Sequence, residues 1–198
     1  CQQADMSNTI EQELVIQLQA GSVEALGQLY DRYQRMVYRT ALAITGDPEA
    51  AADLLQDVFL RLFRFADHID AERPLDPWLY RMTANLSYTW VKRSRRWLHP
   101  LEDLVDRIAS FGRPGPQDLV ERKDEWEAVQ RAVSALPLAQ RVVVVLYYLN
   151  DLSLQEISEI LEVPVGTVKS RLHYGRVSLK KKLRLHEDGA LDLTYENP

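Results

Sequence analysis

Cysteine is nearly absent from this chain, since Cys1 is the single residue of its type among 198. One cysteine can form neither an intramolecular disulfide nor a cysteine-based zinc cluster, and such usage is typical of a reducing cytoplasm. The four histidines, His68, His99, His173 and His186, lack metal-ligand spacing with acidic residues, and no glycine-rich phosphate-binding loop is present. We therefore expect no metal, no cofactor and no catalytic residue, which argues against an enzyme.

Long hydrophobic runs are also missing. The longest, Val142–Leu149, has eight residues, whereas a membrane-spanning helix needs about 20. The first residues do not form a charged segment followed by an apolar one, so a secretory leader is not expected. We predict a cytoplasmic protein with no membrane insertion.

Helix start and stop signals predict an all-α protein of two small domains. Ser22, Asp47–Pro48 and Asp76–Pro77 are typical of helix starts, Gly46 is typical of a helix end, and the breaker cluster Gly112–Pro116 indicates a flexible linker. We place a first module at 10–97, the linker at 98–122 and a second module at 123–186. The predicted helices cover 10–19, 23–45, 48–66 and 77–97 in the first module, and 117–135, 138–150, 154–161 and 165–185 in the second.

The segment Leu152–Arg171 predicts a helix-turn-helix. Ser153 and Glu156 have the spacing of a capping box, and Pro164 ends one helix and opens the next. From Val165 to His186 there are seven basic residues and no acidic one, which favours binding to a polyanion over the alternative of a solvated basic tail. On the second helix, one apolar stripe is predicted to pack and the other side to enter a DNA groove. The stripe comprises Val168, Leu172, Gly175, Leu179 and Leu183.

A second basic strip lies at Trp78–Trp97, where five basic residues occur without an acid although the net charge of the chain is −5. Five aromatic residues alternate with them, and we expect Trp78 and Tyr80 to pack in the core. Some of Tyr88, Trp90 and Trp97 should then be exposed, as single-stranded nucleic acid requires for base stacking. Because the net charge of the whole chain is negative, the protein should bind naked DNA poorly on its own. It should bind DNA well only when another molecule brings it to the DNA.

The helix predicted at 48–66 has an outer face of mixed character. Leu55, Phe59 and Leu62 should pack inward. The remaining face is polar with one apolar residue, and by periodicity alone it is an ordinary solvated surface. It comprises Asp53, Gln56, Asp57 and Leu60.

Three segments together resemble bacterial RNA polymerase sigma factors of the extracytoplasmic-function (ECF) group of the sigma-70 family. They are Asp53–Phe59, Pro77–Arg81 with Asn85, and Leu152–Arg171. The resemblance implies a sigma-2 module followed by a sigma-4 module and a function in transcription initiation at specific promoters. The implied partners are core RNA polymerase, through its β and β′ subunits, promoter DNA and an anti-sigma factor.

The resemblance also implies roles for individual residues. The 48–66 helix would dock on the clamp helices of β′ through Asp53, Gln56, Asp57 and Leu60. The loop Asp67–Asp76 is similar to one that captures a flipped-out base. The remaining assignments are Arg81, Asn85, Tyr88, Lys92, Arg93, Arg95 and Arg96 for the −10 element, and Thr167, Lys169, Ser170, Arg171, His173 and Tyr174 for the −35 element.

Departures from the family pattern leave the promoter sequence open. Tyr174 stands where relatives often carry a basic residue, and Leu154 where they often carry an aromatic one. Two alternatives remain, a dimeric helix-turn-helix regulator that binds operators and a sigma mimic that sequesters an anti-sigma factor. The first leaves the strip Trp78–Trp97 unexplained, and the second has no need of basic DNA-facing residues.

Overall fold

A computed structural model describes the backbone of residues 2–97 and 128–183 and the side chains of residues 9–94 and 128–183. Within these ranges the chain is helical and contains no strand, which confirms the all-α prediction. The predicted linker at 98–122 and residues 123–127 and 184–186 lie outside the described residues. The helices of these ranges are α1 (Gln2–Gln19), α2 (Val23–Thr45), α3 (Pro48–Arg64), α4 (Asp76–Trp97), α5 (described over 128–134), α6 (Leu138–Tyr148), α7 (Leu154–Leu161) and α8 (Val165–Leu183), with a 3-10 turn at Ala66–His68.

Side-chain caps fix the helix ends where the sequence predicts them. Ser22 accepts from the Ala25 amide at 3.2 Å, and Asp47 accepts from the first amides of α3. Gly46 ends α2 in the left-handed conformation, with φ of 73°, which glycine adopts without a steric penalty. Ser153 and Glu156 form the predicted capping box at α7, with bonds of 3.2 and 2.7 Å.

Five helix boundaries differ from the prediction. Helix α5 ends at residue 134 instead of 135. Helix α1 begins at Gln2 instead of residue 10, because the polar residues before Ile10 extend the helix without adding apolar periodicity. Helix α3 ends at Arg64, two residues early, where the 3-10 turn follows. Helix α4 begins at Asp76 itself, so this residue is not its cap. Helix α6 ends at Tyr148 and not at Asn150, whose side-chain amide donates to the hydroxyl of Thr40 at 2.9 Å.

Helices α1 to α4 enclose one apolar core, and the second module is built on another. The first core includes Leu18, Leu29, Leu62 and Leu79, each 1% exposed or less. The second core joins α6, α7 and α8, and the predicted α8 stripe is buried in it from Val168 to Leu179. A methyl group added at Gly175 would lie 2.7 Å from Val144, so only glycine allows α8 to approach α6 this closely.

The second core crosses the boundary between the modules. Ala43 and Ile44 of α2 and Ala84 of α4 are buried in it beside the residues of α6 to α8. Arg141, 2% exposed, donates to the Ile44 carbonyl at 2.7 Å. The two modules therefore pack directly against each other through α2 and α4. None of the helices in the described ranges is long and apolar enough to cross a membrane.

Candidate polymerase and promoter surfaces

The outer face of α3 is open to solvent. Asp53 and Gln56 are exposed, and Leu60 is 67% exposed although it is a large apolar residue. Asp57 is partly buried and accepts from Arg61 one turn later at 3.0 Å. The opposite face is buried, including the predicted inward residues Leu55, Phe59 and Leu62. Protein interfaces have an apolar centre and a polar rim. Leu60 and the acidic and amide groups around it have this arrangement.

The predicted DNA face of α4 lies against the second module. The Arg81 guanidinium pairs with Glu162 at 3.0 Å and donates to the Glu159 carbonyl at 2.8 Å, at the end of α7. Asn85 is exposed and Tyr88 is half-buried, and both line a cavity of about 220 Å³ between α4 and the second module. Arg171 of α8 lines the same cavity.

The basic end of α4 extends past this contact. Lys92 and Arg93 are exposed, and the Lys92 ammonium lies 5.2 Å from the centre of the Tyr88 ring. This distance allows a cation–π interaction. The side chains of Arg95 and Arg96, and that of Trp97, lie outside the described residues.

The aromatic residues of α4 pack more than the sequence predicts. Trp78 and Tyr80 are half-buried against the two cores, as expected. Burial raises the pKa of Tyr80 above its ordinary value. The expectation of exposed aromatics is not met at Tyr88 or Trp90, because Tyr88 packs against the second core and Trp90 against a small cluster of α2 and α3.

Helix α8 presents the predicted outward residues beyond its buried stripe. Lys169, Ser170 and His173 are exposed, and Tyr174 is 60% exposed. Thr167 and Arg171 are partly buried at the edge of this face. No acidic residue occurs in α8, so its outer surface carries a positive potential, which attracts duplex DNA.

Sequence reasoning missed the residues that join the modules. Thr40 and Asn150 pair across α2 and the end of α6, and Arg141 reaches α2 from the start of the apolar run. Arg176 also has an internal role, since its guanidinium lies 5.2 Å from the Tyr147 ring centre. Arg141 is buried beside the apolar run and Arg176 is half-buried on α8. A single basic residue in either setting gives no periodic signal that would predict its contacts. Among the described residues, no cluster of His, Cys, Asp or Glu can hold a metal ion.

Known proteins match both modules. Residues 29–97 match the family model for sigma-70 region 2, and residues 126–179 match that for sigma-70 region 4. The ECF RNA polymerase sigma factor SigW of Bacillus subtilis (strain 168) is 32% identical over 176 residues, which is 85% of this chain and 94% of SigW. The chain therefore belongs to the ECF sigma factors of the sigma-70 family, which direct RNA polymerase to promoters, and the resemblance found in the sequence is confirmed.

Solved structures share the fold. The structure of CnrH in complex with the cytosolic domain of CnrY covers 88% of this chain and 97% of that chain, with a TM-score of 0.64 and 23% identity. The sigma factor RpoE of Bartonella quintana, solved with the anti-sigma factor NepR, covers 82% of this chain and 99% of that chain, with a TM-score of 0.60 and 20% identity. The two-module helical layout is thus that of sigma factor structures.

Proposed function

We propose that the chain binds core RNA polymerase through the outer face of α3 and reads promoter DNA through α4 and α8. The observation that carries the promoter role is the helix-turn-helix at α7 and α8. Its stripe is buried from Val168 to Leu179, and its outer face is exposed and free of acid. A groove-reading helix needs both properties at once.

The remaining assignments follow the same division. Asp53, Gln56, Asp57 and Leu60 bind polymerase, and the exposed apolar side chain of Leu60 supports this role. Helix α4 and the loop 67–76 bind the −10 element as a single strand, and α8 binds the −35 element as a duplex. The protein acts in the bacterial cytoplasm by binding, without catalysis of its own.

An anti-sigma factor is a further partner in this proposal. The shared fold with RpoE, which was solved bound to an anti-sigma factor, supports it. Such a partner would cover the α3 face or the DNA-facing residues, because these are the surfaces that transcription needs. Co-purification of the chain with a cytosolic anti-sigma domain, lost when core polymerase is added in excess, is the expected result.

Holoenzyme binding to promoter DNA tests the −35 assignment. Lys169→Ala should weaken binding, and Lys180→Ala is the matched control, since both side chains are exposed on α8 but Lys180 lies three turns further along. Loss of a phosphate contact lowers affinity for all sequences and flattens the salt dependence by about one unit, whereas loss of a base contact costs about 1–3 kcal/mol at one base pair. Equal binding by Lys169→Ala and wild type at every salt concentration would contradict the assignment.

A further inference from the structure

Two polar side chains of α1 bind the two ends of the segment that precedes α4. The Glu11 carboxylate accepts from the Leu75 amide at 2.8 Å. The Gln19 side-chain amide donates to the Ile69 carbonyl at 2.8 Å and to the Ala66 carbonyl at 3.3 Å. Eight residues of helix separate the two side chains, which is about 12 Å along the axis. Helix α1 thus holds both ends of one short loop.

Glu11 is itself fixed on every side. It is 4% exposed, the Tyr33 hydroxyl donates to it, and the Arg32 guanidinium lies 3.3 Å from it. The same hydroxyl lies 3.1 Å from the carboxylate of Asp76, the first residue of α4. Burial, followed by the hydrogen bond to Glu11, raises the pKa of Tyr33 far above its ordinary value, so the hydroxyl keeps its proton as a donor. A buried carboxylate with three partners is a rigid anchor.

Between the two anchors the loop is exposed. Ile69 and Leu75 are buried, but Asp70, Glu72 and Arg73 face solvent. The tip has a structure of its own, because Asp70 accepts from the Glu72 amide at 3.0 Å and pairs with the Arg73 guanidinium at 3.2 Å. An exposed tip on fixed ends has the form of a binding loop positioned by a rigid scaffold.

We propose that Glu11 and Gln19 are positioning residues for base recognition, and that α1 thereby sets which base of the opened strand the loop accepts. The inference rests on the proposed role of the loop 67–76 at the −10 element. Neither side chain needs to touch DNA. Fixed ends reduce the conformational entropy that the loop loses on binding and keep its polar groups where one base fits better than others. Released ends would leave the loop able to bind, but with less discrimination between bases.

The test measures base preference, which a general loss of folding or polymerase binding does not change. Holoenzyme is titrated with single-stranded −10 oligonucleotides that carry each of the four bases at each position. Gln19→Ala should reduce the affinity ratio between preferred and disfavoured bases by about threefold to tenfold at the position the loop contacts, as expected for one or two lost hydrogen bonds. Gln17→Ala, an exposed glutamine on the same helix, should leave every ratio unchanged.

Two further variants separate a positioning role from simple packing. Gln19→Glu has the same shape but cannot donate to the two carbonyls, so it should lose as much discrimination as Gln19→Ala. Glu11→Gln keeps an oxygen for the Leu75 amide and should lose less, with Glu13→Gln, an exposed acid of α1, as its control. Wild-type ratios in Gln19→Glu would overturn the proposal.

A loop-tip variant distinguishes failure of this inference from failure of the proposed −10 role. Glu72→Ala with Arg73→Ala changes only exposed side chains and should also reduce discrimination. If the tip variant loses discrimination and both Gln19 variants retain it, the loop reads DNA but α1 does not position it. If the tip variant retains wild-type ratios, the loop does not read a base, and the inference about Glu11 and Gln19 fails with that role.

Discussion

Helices α3 and α4 belong to the same module but offer their functional faces very differently. The outer face of α3 is open, with Leu60 67% exposed. The corresponding face of α4 is partly covered by the second module, because Arg81 is paired with Glu162 and Asn85 lines an intermodule cavity. The isolated chain can therefore present its proposed polymerase surface while its proposed −10 surface is partly occupied. We expect polymerase binding to come first and full promoter contact to require movement of the second module.

Distances along DNA lead to the same expectation. Elements centred near −35 and −10 lie about 85 Å apart on B-form DNA at about 3.4 Å per base pair. Asn85 and Arg171 line one cavity of about 220 Å³, so the packed arrangement cannot reach both elements. Residues 98–127 can span at most about 100 Å when fully extended, which is sufficient for the two modules to separate on the promoter.

The largest effect is expected on the open surface. Gln56→Ala with Asp57→Ala should weaken binding to core polymerase by more than about tenfold, as for residues central to an interface. Folding should be nearly unchanged, since both residues are on the outer face and the Asp57–Arg61 pair is worth at most about 0.5 kcal/mol. Polymerase pull-down and circular dichroism measure the two effects. Glu24→Ala with Gln28→Ala, on the exposed face of α2, is the control, and wild-type holoenzyme assembly by the α3 variant would show that the docking assignment is wrong.

On the partly covered surface, Asn85→Ala should reduce transcription from duplex promoters by about tenfold, the effect of losing one or two hydrogen bonds to the edge of an unpaired base. A template already opened around −10 should restore activity, because the opening energy no longer depends on that contact. Run-off transcription on both templates makes the measurement. Equal losses of activity on duplex and bubble templates, with normal folding and −35 binding, would show that Asn85 does not contribute to strand opening.

A smaller change should uncover the α4 face. Glu162→Gln removes the charge that pairs with Arg81, and an exposed ion pair contributes about 0–1 kcal/mol, so the free chain should bind a single-stranded −10 oligonucleotide up to about fivefold more tightly. Glu159→Gln is the matched control, because Arg81 bonds to the main-chain carbonyl of Glu159 and not to its carboxylate. Fluorescence anisotropy with the isolated protein distinguishes the two variants. Equal affinity of the two variants for the oligonucleotide would mean that the Arg81–Glu162 pair does not restrict access to the α4 face.

The smallest effect concerns pH. The pKa of Glu156 is held below its ordinary value by two hydrogen bonds with Ser153. The larger effect comes from the Ser153 side chain and the smaller one from its backbone amide. The capping box therefore contributes its full stability above the pKa of an unfolded glutamate, and that contribution is lost as pH falls through the lowered pKa. The Tm of wild type should approach that of Glu156→Gln at acidic pH and exceed it slightly near neutrality. A Tm difference that does not depend on pH would contradict this.

Local signals explain what the sequence could predict. Caps at Ser22, Asp47 and Ser153 and the breaker at Gly46 act within one turn, so the helix starts at 23, 48 and 154 follow from neighbouring residues. The α8 stripe was also predictable, because one helix face carries it. The contacts of Arg81, and the bonds of Glu11 and Gln19 to the loop, join residues more than 45 positions apart. They depend on how the helices are placed, which helical periodicity does not encode.

The distance between the modules tests the central claim most directly. Fluorophores on Glu49→Cys and Arg131→Cys, two exposed residues on either side of the close approach between Gly46 and Ser134, report this distance by single-molecule energy transfer in the free protein, in holoenzyme and on promoter DNA. Cys1→Ser removes the remaining thiol. We expect high transfer in the free protein and a loss of transfer on the promoter, where the modules lie tens of ångströms further apart. High transfer retained in a transcribing promoter complex would contradict the claim that the −10 face of α4 is freed when the second module moves to the −35 element.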